Sequence, residues 1–146
     1  MISKTVMDIL KNGCKNGLKI SFKIVPYIIP LYVFVDYFKN TTMFAKIAEF
    51  FNPLMSLLGL PGKASIVILS GFLINLYAAI GAMMPIKLTA KQITIIGLVL
   101  GIAHNLIIES IILSKSGVKA YITVSFRIVI GICVGILVNL LWNLIS

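Results

Sequence analysis

The sequence predicts an all-α, polytopic membrane protein, and three observations support this fold class. Of its 146 residues, 60% are hydrophobic and 12% are charged, whereas soluble domains are about 45–50% apolar and about 25% charged. The mean hydropathy is +1.08. Most lysines flank apolar runs, as expected for residues among lipid headgroups. Because each span needs about 20 residues, we expect about four membrane-embedded helices in a multi-pass protein of the cell membrane.

Residues 1–19 predict an amphipathic helix lying on the membrane surface, and residues 20–146 then form a single membrane-embedded domain. Apolar residues recur at helical spacing, and another face carries Lys4, Lys11, Lys15 and Lys19. This is the pattern of interfacial helices, and the alternative is a solvated basic tail. With lysines spread along this segment and no compact apolar stretch before a cleavage site, it does not resemble a signal peptide.

Residues 20–38 predict a first span that two prolines interrupt. Pro26 and Pro30 lie four residues apart on one face, and each removes a backbone donor and kinks the helix. Kinked helices are common in transporters, but such prolines also serve helix packing. The sequence favours neither interpretation.

Residues 42–58 and 64–84 predict a helical hairpin around the Gly59–Lys63 turn, which is rich in glycine and proline. The hairpin either spans the bilayer or enters it and returns on the same side. A re-entrant backbone is tolerated only against protein or a water-filled cavity. Asn75 lies within the second arm, where its amide either bonds a neighbouring helix or lines a substrate pocket.

Two further helices are predicted at about 90–113, with Thr89 as a plausible N-cap, and at about 120–145. Each carries a G-x-x-x-G pattern, which provides a small-residue face for close helix contact. These faces are formed by Gly97 and Gly101 in the first helix and by Gly131 and Gly135 in the second.

Polar residues inside these apolar helices are the strongest indication of function, because an ionisable group at mid-bilayer costs roughly 2.5–3.5 kcal/mol. Asn105 and Glu109 share a helix face, whereas His104 points about 140° away from Glu109 on a straight helix. Glu109 either forms a structural ion pair with Arg127 or binds a cation, a proton or a polar substrate. His104 is either hydrogen-bonded structure or a proton-coupling group.

Several classes of function are excluded or disfavoured. One histidine and two separated cysteines, Cys14 and Cys133, do not predict a metal site or a disulfide. No catalytic set or phosphate-binding glycine loop appears, so we expect neither an enzyme nor a cofactor. The net charge of +9 comes mainly from lysines beside apolar runs, which indicates contact with the lipid bilayer and not with nucleic acid.

The chain resembles the nucleoside-recognition, or Gate, domain family over roughly residues 20–145. The resemblance is carried by LGLPGKASIVILSGFLINLYAAIGAM, by LTAKQITIIGLVLGIAHNLIIESIILSKSG, and by the last helix with Arg127. Related domains occur in concentrative nucleoside transporters, B-type ferrous-iron transporters and spore maturation proteins A and B. The resemblance implies hairpins and broken helices beside a transport path, in a small stand-alone gate unit. The pathway candidates that it implies are Gly71, Asn75, His104, Asn105, Glu109 and Arg127.

We therefore expect a small transporter or permease subunit that moves a polar solute or ion, with nucleosides and cations as candidates. A homo-oligomer is expected, preferably a dimer, because many transporters combine two inverted repeats. The alternative is a non-transporting membrane scaffold similar to the spore maturation proteins, and a lipid-modifying enzyme is a weaker third option. The lysines divide seven against five in either hairpin arrangement, with the N-terminus on the richer side, which favours a cytoplasmic N-terminus.

Overall fold

The computed structural model describes the backbone of residues 2–38, 40–117 and 119–145, and their side chains except those of residues 2–6, 24, 27 and 31. These ranges form helices and no strand, which confirms the all-α class. The helices are α1 (Ile2–Phe38), α2 (Thr42–Leu57), α3 (Ala64–Leu73), α4 (Leu76–Met83), α5 (Ala90–Ile102), α6 (Leu106–Lys115) and α7 (Ala120–Ile145). Two of the lysines in the seven-against-five division between the membrane sides are affected. Lys39 and the side chain of Lys4 lie outside the described residues.

Helix α1 continues through the expected boundary between a surface helix and a span at residues 19 and 20. Its two straight parts, Met7–Lys23 and Ile28–Phe38, are bent by 41° relative to each other. Pro26 lies at the bend, where its ring and missing N–H disturb the helix. The bend does not mark where a membrane surface begins, so the predicted division into a surface helix (1–19) and a membrane-embedded domain (20–146) stays a prediction.

The expected second hairpin arm, 64–84, is itself two helices. α3 and α4 pack against each other and are joined only by Ile74 and Asn75. Asn75 is extended, with φ −173° and ψ 173°, so the helix cannot continue through it. Pro61 and Lys63 before α3 line the same cavity as Pro85, Ile86 and Lys87 after α4. Both ends of the α3–α4 hairpin therefore lie close together.

The expected helix at about 90–113 is also broken. α5 ends at Ile102 and α6 begins at Leu106, with Ala103, His104 and Asn105 between them. The predicted start is confirmed by a capping box at Thr89: the Thr89 hydroxyl accepts from the Gln92 N–H at 3.3 Å, and the Gln92 side chain accepts from the Thr89 N–H at 3.0 Å. The last predicted helix is continuous.

The core lies between α2, α3, α5 and the adjoining faces of α1, α4 and α7. Its fully buried side chains come from several helices and include Val35, Met55, Leu58, Val67, Ile95, Ile96, Val99 and Leu100. Two helical segments in the described residues have the length and apolarity of a span, Ala90–Lys115 and Ala120–Ile145, or three if the bent parts of α1 form one span. The expected number of about four membrane-embedded helices therefore stays a prediction.

The two G-x-x-x-G faces have different surroundings. A Cβ at Gly131 would lie 3.2 Å from the Val99 carbonyl oxygen, and one at Gly135 would lie 2.5 Å from Leu58 Cδ2 and 2.9 Å from Val99 Cγ2. These glycines thus allow α7 to pack closely on α5. A Cβ at Gly97 or Gly101 would meet nothing within 4 Å. Packing through Gly97 and Gly101 is therefore absent within the described chain, and a contact there with another chain stays a prediction.

We predict that Gly59→Ala destabilises the fold more than Gly117→Ala. Both glycines have positive φ, 68° and 79°, so alanine costs each site about 1–2 kcal/mol of backbone strain. A Cβ at Gly59 would also overlap the Asn139 side chain, whereas Gly117 faces open space. Thermal unfolding in detergent should show an additional loss of about 1 kcal/mol for Gly59→Ala. Equal losses would mean that the Asn139 contact adds nothing.

Candidate functional site

The α3–α4 hairpin meets the α5–α6 break through a backbone hydrogen bond. The Asn105 N–H donates to the Gly71 carbonyl at 2.9 Å, whereas a continuous helix would direct this N–H to Gly101. Asn105 has φ 57° and is the non-glycine residue with positive φ in the described ranges. Asparagine tolerates this conformation better than most residues. We call the contact between Gly71 and the Ala103–Asn105 break the junction.

The junction requires a glycine at position 71, because α5 leaves no space there for a side chain. A Cβ at Gly71 would lie 2.5 Å from Leu100 Cδ2 and 2.9 Å from Leu100 Cδ1. Leu100 is buried, so it has little space into which to move. The glycine therefore allows the α3 backbone to come close enough for its carbonyl to reach Asn105.

Asn75 forms a local cap within the α3–α4 hairpin. Its Oδ1 accepts from the Ala78 N–H at 2.8 Å, and its own N–H donates to the Ser70 carbonyl at 3.2 Å. The amide was expected to bond another helix or to line a pocket, but its oxygen caps the first turn of α4. The two helix interruptions thus use asparagine differently, because Asn105 makes no side-chain cap to α6.

Arg127 of α7 holds the two sides of the α5–α6 break together. Its Nε donates to the Ile102 carbonyl at 2.7 Å, and its Nη1 forms an ion pair with Glu109 in the first turn of α6. The Ile102 carbonyl is in the last turn of α5, where carbonyls lack intrahelical partners. The ion pair agrees with one of the two interpretations of Glu109. The Arg127 side chain remains 25% exposed and the Glu109 side chain 32% exposed.

His104 lies within the break and is half-buried. Its Nδ1 is 2.9 Å from the Leu100 carbonyl, and because a carbonyl only accepts, this bond requires a proton on Nδ1. The expected 140° separation of His104 and Glu109 assumed a straight helix and does not apply across the break. The structure therefore brings Gly71 to Asn105 and Glu109 to Arg127, while His104 contacts the end of α5.

Two polar groups that the sequence analysis left out of the site are also buried. Asn139 is 8% exposed, and its Nδ2 donates to the Leu57 carbonyl at 3.1 Å. Its Oδ1, the Ser65 hydroxyl and the Asn105 Oδ1 lack a hydrogen-bond partner among the described residues. An asparagine within the apolar run of the last helix was the available signal for Asn139. Among the described residues, no group of three His, Cys, Asp or Glu side chains could hold a metal ion.

The chain is similar in sequence to a known family and to several known membrane proteins. The family described as "Gate: Nucleoside recognition" matches residues 21–142. The chain is similar to the membrane protein YvoD of Bacillus subtilis (strain 168), with 30% identity over 116 residues, covering 80% of this chain and 37% of YvoD. It is 27% identical over 100 residues to the inner membrane protein YjiG of Escherichia coli (strain K12), covering 65% of each protein. It thus spans about a third to two thirds of these relatives.

A shorter similarity extends to the Fe(2+) transporter FeoB of Salmonella typhimurium (strain LT2), with 32% identity over 73 residues. This match covers 50% of the chain and 10% of FeoB. No solved structure matches.

Proposed function

Because the chain belongs to the nucleoside recognition (Gate) family, we propose that it is a subunit of a membrane transporter for a small polar solute or ion. The observation that carries this proposal is the junction, where two interrupted helices meet through Gly71 and Asn105. Transporters bind substrates and ions at interrupted helices, because the interruptions free backbone groups inside the membrane. Among the described residues, the side-chain oxygen of Asn105 at this junction is buried without a hydrogen-bond partner, and the Asn105 side chain does not cap α6.

The α3–α4 hairpin would enter the membrane and return on the same side. Lys63 and Lys87, which flank it, line one cavity, and they would lie on opposite surfaces if the segment crossed the bilayer. At 1.5 Å per residue, its arms of 10 and 8 residues are about 15 and 12 Å long, roughly half of the hydrocarbon thickness. Contact with α5 and α6 supplies the protein surroundings that a re-entrant backbone needs.

The working unit would be a homo-oligomer, preferably a dimer, in the cell membrane with a cytoplasmic N-terminus. One chain has at most three candidate spans in its described residues, which is few for an enclosed path. The open face at Gly97 and Gly101 is suited to close helix contact. Tags on both termini test the orientation, and mixed orientations would indicate an antiparallel dimer.

We predict that Glu109→Gln strongly reduces transport while the protein still assembles, although the loss of the ion pair lowers its stability. The substitution keeps the side-chain shape but removes the charge that pairs with Arg127. Loss of one charge-assisted interaction should reduce uptake about tenfold or more. Uptake into proteoliposomes would be measured for nucleosides, protons and divalent cations, including Fe²⁺ because the related FeoB is an Fe(2+) transporter.

Glu49→Gln is the matched control, because Glu49 is an exposed carboxylate on α2 and its loss should leave uptake unchanged. The second candidate function is a membrane scaffold, which the structural bonds of Arg127 favour. A scaffold predicts no uptake by the wild type, together with weaker folding or assembly of Glu109→Gln in size-exclusion chromatography. That pair of results would overturn the transport proposal.

A further inference from the structure

A basic cavity lies where the α3–α4 hairpin begins and ends. Its volume is about 320 Å³, and it is lined by Asn40, Pro61, Lys63, Pro85, Ile86 and Lys87. These residues come from the connections before α2, before α3 and after α4. Two lysines therefore converge on one cavity from distant parts of the sequence, and none of the lining residues is acidic.

Among the described residues, no ion pair joins Lys63 or Lys87 to a carboxylate. Both lysines are exposed and line the same cavity, so an anion bound there would be attracted by two positive charges. The chain as a whole carries a net charge of +9. The cavity therefore has the electrostatic properties of an anion site.

An apolar groove is lined in part by residues that are close in sequence to those of the cavity. Its volume is about 440 Å³, and it is lined by Phe34, Phe38, Met43, Phe44, Ile47, Ile66, Leu69, Ser70, Leu73 and Ile74. Asn40 of the cavity lies between Phe38 and Met43 of the groove, and Lys63 lies one turn before Ile66. A ligand with an anionic head and a hydrocarbon chain matches a basic cavity together with an apolar groove.

We propose that the cavity binds the phosphate of an anionic phospholipid, with an acyl chain of that lipid in the apolar groove. The phosphate accepts hydrogen bonds from Lys63 and Lys87, and the Asn40 amide can donate a further one. Basic pockets between membrane helices bind anionic headgroups in this way. A zwitterionic choline lipid fits less well, because its quaternary ammonium adds a cation beside two lysines. The bound phosphate would connect both ends of the α3–α4 hairpin.

The test uses the purified full chain in detergent, titrated separately with phosphatidylglycerol, phosphatidylcholine and inorganic phosphate. Native mass spectrometry measures retained lipid, and thermal unfolding measures stabilisation. The variant is Lys63→Gln/Lys87→Gln. Lys115→Gln/Lys119→Gln is the matched control, because it removes two exposed lysines, one at the end of α6 and one in the α6–α7 connection, and neither lines the cavity. Lys63→Arg/Lys87→Arg keeps both charges and shows that the positions tolerate substitution.

We expect the wild type, the arginine variant and the control to retain phosphatidylglycerol. The glutamine variant should bind it about thirtyfold more weakly, since two lysines contribute about 1 kcal/mol each. Phosphatidylcholine should stabilise none of them. Equal phosphatidylglycerol binding by the glutamine variant and the control would overturn the proposal. Stabilisation by inorganic phosphate equal to that by phosphatidylglycerol would also overturn the lipid assignment, and would identify a site for free phosphate.

Discussion

Arg127→Met is expected to lower the stability of the protein by about 2–3 kcal/mol. Removing one partner of a buried ion pair costs about 3–5 kcal/mol, and the partial exposure of Arg127 and Glu109 places the expected loss toward or below the lower end. The substitution leaves the Glu109 carboxylate without its counter-charge. It also leaves the Ile102 carbonyl without the donor that now reaches it at 2.7 Å. The melting temperature should fall by about 5–10 °C.

A double-mutant cycle identifies the cause of this loss. Glu109→Gln/Arg127→Met should be more stable than Arg127→Met alone, because no unpaired charge remains. Arg127→Lys should be intermediate, since an ammonium can pair with Glu109 but cannot reproduce the two-sided guanidinium contact. If the double variant were as unstable as the single one, the ion pair would not account for the effect.

Gly81→Ala should destabilise the protein by about 3 kcal/mol, the upper part of the range for overpacking. A Cβ at this position would lie 2.7 Å from the Ile28 carbonyl oxygen and 3.4 Å from the Ile28 Cα. These are backbone atoms of α1, so no side-chain rotation relieves the overlap. The two helices would have to separate along the surface where α1 packs on α4.

Gly97→Ala provides the matched control, because Gly97 is also inside a helix but a Cβ there meets no atom within 4 Å. In a helix interior alanine is favoured over glycine by about 0.8–1 kcal/mol. The same substitution should therefore have opposite effects on the melting temperature at the two positions. A loss at Gly97 as large as that at Gly81 would contradict the described packing.

The sequence was a good guide to the apolar helices, and the ion pair of Glu109 with Arg127 was one of two alternatives that it left open. Composition and lysine placement predicted the all-α class, and Thr89 marked the start of α5. These predictions succeeded because they depend on the local pattern of each segment by itself.

The resemblance implied broken helices, but the interruptions at Asn75 and Asn105 were not located from the residues, because each lies in an otherwise helical apolar run. Their cause is long-range for Asn105, whose N–H bonds to Gly71, and a single sequence does not show such a contact. The glycines illustrate the same limit. The G-x-x-x-G pattern pointed equally to Gly97 and Gly131, but only Gly131 faces a helix of this chain. The close approach at Gly81 belongs to no such pattern.

The bond from Arg127 to Ile102 also has a consequence for the order of events during synthesis. By length and composition, Ala90–Lys115 could cross a membrane as one helix. The group that satisfies the Ile102 carbonyl belongs to α7 and is made 25 residues later. Chains are made from the N-terminus. The Ile102 carbonyl therefore has no Arg127 donor until α7 has been synthesised. Nascent chains that stop before Arg127 would thus lack the donor that satisfies the Ile102 carbonyl at the break.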